Sequence, residues 1–325
     1  MSDASFSSSL AKYLSDYLAL RRSLGYEMRD HLFVLRQFDR TVATGTRSSE
    51  PVSRDVIEEY LRSLAHLQPT TRRMRLSMIR QFLLYLRRFE PTTFVPDRSM
   101  EPAHTASRKP YIFTEDEICK LIRAAYGHPA RYRCRRWLLY PTLFGLLYVT
   151  GMRVSEALQL KLEDLDLRER ILRIRKAKFH KARLVPLAES TCAALKRYLI
   201  ARAEKGYPTV ASAQLFVNDR GNRLPYTNVR KTFHLVARMA GIEGKARPIP
   251  RIHDLRHTAA VRRLYLWYRE GRNVQALLPV LSTFLGHSTV SGTAIYLTTS
   301  AELLAEANLR VQKYLDDPAS KKEGF

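Results

Sequence analysis

The chain has 325 residues, 45% hydrophobic and 26% charged, which excludes a disordered tail and leaves room for about two domains with sizeable cores. Lys and Arg total 55 against 31 acidic residues, a formal net charge of +24, and 41 of those cations are arginine. Such a surplus repels itself unless a polyanion neutralises it, and the planar guanidinium fork suits phosphate, so nucleic acid is the expected partner.

In the first hundred residues, apolar positions at helical spacing predict four helices, about Leu10–Leu24, Asp30–Val42, Ser53–Ala65 and Thr70–Phe89. The fourth carries Arg72, Arg73, Arg75, Arg80, Arg87 and Arg88 beside Met78, Ile79, Phe82, Leu83 and Leu86. A self-paired helix face carries both signs, so this arginine-only face points to phosphate rather than to a solvated surface. Four prolines between 91 and 110, with no periodicity, predict an extended linker. It is placed at 96–110, between a domain of residues 1–95 and one of residues 111–325. Residues 1–100 carry 16 cations and 11 anions and residues 101–325 carry 39 and 20, so the second part holds most of the surplus.

Past the linker, Thr114-Glu115-Asp116-Glu117 is a capping box that opens a helix containing Ile118, Leu121 and Ile122. Trp137–Thr150 reads as a buried helix ended by Gly151. Its 13-residue apolar run to Val149 contains Pro141 and falls short of the ~20 residues that span a bilayer. Ile171–Arg175 and Arg183–Leu187 predict two short strands joined by the basic segment from Lys176 to Ala182. From Tyr226 the pattern is helical, broken at Gly241–Pro250, Gly271 and Gly286, and Ala301–Leu315 predicts a closing amphipathic helix. The expected fold class is mainly α with a small β-sheet: a helical N-terminal domain followed by an α+β domain.

Other chemistries find no support. Cys119, Cys134 and Cys192 are odd in number and lack CxxC spacing, which points to free thiols in a reducing compartment and away from structural zinc. The opening Met-Ser-Asp-Ala-Ser has neither a basic region nor an apolar core, so no secretory signal is expected. The pair Gly244-Lys245 has Met239 where a P-loop's first glycine would stand and Ala246 where its Ser or Thr would, so nucleotide-driven chemistry is not expected.

Four segments stand out in order: Thr150-Gly151-Met152-Arg153-Val154-Ser155-Glu156; the basic hairpin with Lys178; His253-Asp254-Leu255-Arg256-His257; and Leu285-Gly286-His287, followed nine residues later by Tyr296. In this order and spacing they resemble the tyrosine recombinase (phage integrase) family. The resemblance covers residues 111–300 closely, and the helical first domain looks like that family's core-binding domain. It makes Arg153 the first catalytic arginine, Lys178 the hairpin lysine, and His253 and Arg256 the His-x-x-Arg pair. His287 then fills the His/Trp position and Tyr296 that of the nucleophile. Where the family often has Gly-Lys-Gly, this chain has Ala177-Lys178-Phe179. Lys178 is preferred to Lys176 and Lys181 because it lies five residues before Arg183-Leu184-Val185-Pro186-Leu187.

These residue types suit metal-free cutting of a phosphodiester. A phenol with a pKa near ~10 needs help to attack at neutral pH. Two arginines can hold the non-bridging oxygens, each contributing on the order of 10²–10³ in rate by analogy with oxyanion-hole donors. A lysine can protonate the leaving 5′ oxygen, and imidazole titrates in the range that suits a base or proton shuttle. The resemblance implies a 3′-phosphotyrosyl intermediate, no metal, no cofactor and no ATP. It also implies a homotetramer on two double-stranded DNA duplexes, with related recombinases as further partners, and a cytoplasmic location away from any membrane. In the family a C-terminal segment like the one after residue 300 docks on a neighbouring protomer; packing on its own domain is the other reading.

Taken singly, each residue has a plainer reading. Arg153 pairs with Glu156 as a surface i,i+3 ion pair, or is oriented by it for catalysis. His253 and His257, four apart, suggest a metal site that Arg256 between them would oppose. Tyr296, between Ile295 and Leu297, reads as a core tyrosine. The order and spacing of six positions together favour a site-specific recombinase, integrase or transposase over two alternatives, a non-catalytic DNA-binding regulator of the same fold and a type IB topoisomerase.

Overall fold

In the computed structural model the described residues are 6–45, 52–102, 108–127, 138–175, 182–242, 248–287, 289–298, 305–306 and 308–309. The chain divides into two compact units, residues 1–107 and 108–325.

The first unit contains α1 (Ala11–Ser23), α2 (Arg29–Gly45), α3 (Arg54–Ser63) and α4 (Pro69–Leu86). Their buried faces meet in an aromatic centre, where Phe38 of α2 lies edge-on to Tyr60 of α3 at 5.3 Å and Tyr17 of α1 edge-on to Phe82 of α4 at 5.6 Å. Such edge-to-face pairs add to the stabilisation from buried apolar area. The entry to α1 is pinned by Asp39, whose carboxylate accepts from the Ser7 backbone N–H at 2.7 Å and the Ser8 hydroxyl at 2.6 Å. The arginines of α4 are not all unpaired. Arg73 and Arg80 reach Glu101 at 2.9 and 3.9 Å, and Arg75 donates to Gln37 at 2.6 Å. Glu101 comes from beyond the helix, so its pairing was invisible to a reading of the helix face alone.

The second unit opens with α5 (Glu115–Tyr126), capped by Thr114, whose Oγ1 accepts from the Glu117 backbone N–H at 3.2 Å. The apolar α6 (Leu139–Thr150) is almost wholly buried and ends at Gly151. A four-residue turn of helix, α7 (Val154–Ala157), leads to an antiparallel sheet of β1 (Leu165–Asp166), β2 (Ile171–Ile174) and β3 (Arg183–Pro186). Leu172 pairs with both Leu165 and Val185 in register, and Leu172, Ile174 and Val185 turn into the core. The remaining helices are α8 (Glu189–Glu204), α9 (Tyr226–Met239), α10 (Asp254–Arg269), α11 (Val274–Leu285) and α12 (Ser291–Ala294), with a 3₁₀ turn at Ile295–Thr298.

The molecule is therefore mainly helical with a small sheet, as the periodicity predicts. β1 is a two-residue strand with no periodic signal of its own, and only its pairing with β2 reveals it. Lys178 and the hairpin tip, residues 176–181, lie outside the described residues, as does most of the segment after residue 298.

Candidate active site

α10 packs along α6, bringing the start of α10 and the ends of α6 and α11 together. Arg256, in the first turn of α10, is 2% exposed. Its Nη1 donates to the carbonyls of Gly151, just past α6, and Leu285, at the end of α11, both at 2.8 Å. Arg153, ahead of α7, donates through Nη2 to the next carbonyl of that turn, Gly286, at 3.0 Å. The two guanidinium groups thus grip consecutive carbonyls, although their residues lie about a hundred positions apart in the chain.

Gly151 and Gly286 make this approach possible. Both adopt left-handed backbone, φ +58° and +72°, where a side chain is strained. A Cβ at Gly151 would come within 2.6 Å of Leu285 Cδ2, and one at Gly286 would overlap the Arg183 guanidinium.

The buried carboxylate of Glu156 balances part of the positive charge. It accepts from the Arg153 backbone N–H at 3.0 Å and from Arg153 Nη1 at 2.9 Å. From β3, Arg183 meets the same carboxylate with Nη1 at 3.2 Å and Nη2 at 2.7 Å. Burial would raise the Glu156 pKa, but hydrogen bonds and charge from Arg183 and Arg153 outweigh it and hold the group below the ordinary carboxylate value. Three arginines against one carboxylate leave the site cationic. Arg256 is pushed down to about 10, first by burial and then by Arg153, yet stays charged at neutral pH.

Tyr296 lies in the 3₁₀ turn and is 3% exposed. Burial raises its pKa, while Arg256, by charge and hydrogen bonding, and Arg153 pull it back. Its ring packs 5.5 Å from that of His257 and 6.0 Å from that of His287, and His257 in turn lies edge-on to His253 at 4.9 Å. Arg256 Nη2 and His257 Nδ1 are buried with no hydrogen-bond partner at ordinary geometry, an unmet polar demand at the site.

All three imidazoles are pushed down to about 4. Burial is the leading cause in each. His257 and Arg256 add to it at His253, Arg251 and Arg256 at His257, and Arg256, Arg153 and Arg183 at His287. His253 is exposed, and water around it offsets much of its desolvation, so burial acts more fully on His257 and His287. His287 Nδ1 lies 2.7 Å from Thr293 Oγ1, a fully buried hydroxyl on α12. That contact fixes the ring's orientation and leaves Nε2 as the nitrogen available for other partners. Among the described residues no group of three or more His, Cys, Asp or Glu is arranged to hold a metal ion.

Five of the six residues singled out in the sequence, Arg153, His253, Arg256, His287 and Tyr296, thus gather at one place; the sixth, Lys178, is among the residues not described. Three contributors were not among the six. His257, weighed only as a metal ligand, packs directly on Tyr296. Arg183 looked like an ordinary strand residue, and Thr293 carried no signal beyond its place three residues before the tyrosine.

A mainly helical domain with a three-stranded antiparallel sheet thus joins arginines, a His-rich cluster and a buried tyrosine at one cationic site. The chain belongs to the phage integrase family, whose pattern matches residues 112–302, and is a tyrosine recombinase. It is 35% identical over 314 residues to y4rB, a Sinorhizobium fredii protein assigned to the integrases and recombinases, spanning 95% of this chain and 99% of that one. It is 30% identical over 287 residues to the tyrosine recombinase XerD of Bifidobacterium longum, spanning 85% and 87%. Its fold is similar to that of the Tn1549 transposon integrase in complex with transposon right end DNA, with a TM-score of 0.67, 15% identity, and coverage of 91% of this chain and 97% of that one.

Proposed function

We propose that the chain is a site-specific recombinase that cuts and rejoins double-stranded DNA through a covalent bond between Tyr296 and a 3′ phosphate. One observation carries this reading: Arg256 and Arg153 grip consecutive carbonyls, Leu285 and Gly286, in the same site as the buried Tyr296, whose ring packs on His257 and His287. A scissile phosphate seated there neutralises the charge that Glu156 leaves over.

In this reading the Tyr296 oxygen attacks phosphorus and the bond to the 5′ oxygen breaks. The two arginines stabilise the charge that grows on the non-bridging oxygens, worth on the order of 10²–10³ in rate for each donor group. Neutral imidazole can accept the phenolic proton, and the downward-shifted histidines supply it at neutral pH. His253 takes the role of base or shuttle, with His257 packed between it and the phenol ring. His287 holds a phosphate oxygen, and Lys178 protonates the leaving 5′ oxygen. A 5′ hydroxyl of a partner duplex then attacks the phosphotyrosine and releases Tyr296. One ester bond replaces another at each step, so the cycle needs no ATP, and in this reading the arginines supply the charge stabilisation that a metal ion gives elsewhere.

The unit of residues 1–107 is proposed as a second DNA-binding element through the arginines of α4, and four protomers on two duplexes as the working assembly. The transposon integrase named above, solved with DNA, supports a DNA partner, as does the cationic surplus of the sequence. A nicked suicide substrate tests the proposal: wild-type chain is expected to be trapped as a covalent DNA adduct, and Tyr296→Phe to bind the same DNA without trapping. Trapping by the Phe variant would refute the assignment.

A further inference from the structure

The site contains a third arginine to which the strand-transfer chemistry gives no task. Arg183 opens β3, five residues after Lys178, and its side chain is only 6% exposed. Both terminal nitrogens meet the Glu156 carboxylate, at 3.2 and 2.7 Å, in the fork geometry that a lysine cannot reproduce. Nε donates to the Phe284 carbonyl at 2.9 Å, in the last turn of α11. The guanidinium also lies close against Gly286, where a Cβ would come within 2.8 Å of its Cζ. These contacts turn it inward, so it is badly placed to touch a phosphate.

What it touches are the supports of everything else. Glu156 holds Arg153 through two hydrogen bonds, and Arg153 holds the Gly286 carbonyl. Phe284, Leu285 and Gly286 form the turn that receives Arg256 and delivers His287. Glu156, Arg153, the Gly286 turn and Arg183 therefore close a ring, and β3 is the strand on which the lysine hairpin ends.

We infer that Arg183 is a positioning residue: it clamps Glu156, and through it Arg153, to the turn at Phe284–His287, so that Arg153 and Arg256 are set for a single phosphate. The inference rests on the recombinase reading above. Misplacing a group by about 1 Å costs roughly 10²-fold in rate, so loss of this clamp appears in cleavage rather than in DNA binding.

The test compares wild type, Arg183→Met and Arg183→Lys in single-turnover cleavage of a nicked suicide substrate, with half-site binding and a pH profile measured in parallel. Glu156 faces Arg153 from its own turn, Arg183 from β3 and Arg256 from α10. Removing Arg183 raises the pH at which Glu156 takes up a proton. Arg183→Met is expected to cleave about 10²-fold more slowly, with unchanged half-site affinity and an acid limb moved to higher pH. Arg183→Lys, which keeps the charge, is expected to hold the limb near wild type and recover part of the rate. Cleavage at the wild-type rate overturns the inference, as does a loss matched by equal loss of binding with the pH profile unmoved. Should the Met variant not fold, Arg183→Lys carries the test, and full activity there overturns it. A wild-type chain that forms no adduct sinks the recombinase reading itself.

Discussion

Arg183 and Glu156 form a buried two-point ion pair between β3 and α7, with 6% and 3% of their side chains exposed. Removing one member of such a pair leaves an uncompensated charge and costs about 3–5 kcal/mol. Glu156→Gln strands two arginines together, Arg183 and Arg153, and is expected to lower unfolding stability by about that amount, read from urea denaturation. A change within about 0.5 kcal/mol, as at ordinary surface positions, would contradict the buried-pair account.

Arg256→Lys keeps a positive charge but lacks the planar fork that lets Arg256 bond the carbonyls of Gly151 and Leu285 and still present a second nitrogen. Adduct formation is expected to fall by about 10²–10³ while DNA binding persists. Quantifying trapped adduct against gel-shift affinity separates the two effects.

The imidazoles of His257 and His287 have folded pKa values of about 4, below the ordinary 6.5. Their neutral forms contribute stability that is complete above pH 6.5 and lost as the pH falls from 6.5 towards 4, because the unfolded chain takes up protons first. Thermal melts of the DNA-free protein are therefore expected to drop through this window. An anion in the site favours the imidazolium, so added duplex should blunt the drop. Proton uptake on DNA binding near pH 6, measured by calorimetry in two buffers, checks that sign.

Gly286→Ala meets two obstacles, left-handed backbone costing about 1–2 kcal/mol and overlap with Arg183. It is expected to destabilise the fold and to slow cleavage as well, since the Gly286 carbonyl is the anchor of Arg153. By contrast Gly271→Ala, at φ +71° with open space around its Cβ position, should show the backbone cost alone.

Thr293→Val keeps the shape of a fully buried side chain but removes the hydroxyl facing His287 Nδ1. Leaving that nitrogen unsatisfied costs about 1–3 kcal/mol. Cleavage is expected to fall with DNA binding intact, and Thr293→Ser to restore most of it. Equal activity of the Val and wild-type chains would show that the hydroxyl does not set the ring.

Much of this arrangement could be read in the sequence, because helical periodicity and glycine stops report local physics. Leu139–Thr150, closed by Gly151, and the capping box at Thr114 are cases where a few neighbouring residues determine the element. The Arg153, His253, Arg256, His287 and Tyr296 set was legible from order and spacing. Arg183 was not, because its importance lies in Glu156, 27 positions back, and Phe284, 101 positions on. His257 was read through its i,i+4 relation to His253, whereas its contact with Tyr296 crosses from α10 to the 3₁₀ turn at Ile295–Thr298. Strand β1 has only two residues, too few for any alternation to be seen.

Apart from the Glu156 carboxylate, the oxygens that steady Arg153 and Arg256 belong to peptide groups, at positions 151, 285 and 286. No codon change can delete a peptide oxygen; it can only shift it. Drift at these positions is therefore filtered by shape, and the spacing between the two guanidiniums is set in part by the course of the main chain. Diverging copies of the gene can rewrite the surrounding surface while the site built on these carbonyls keeps its dimensions.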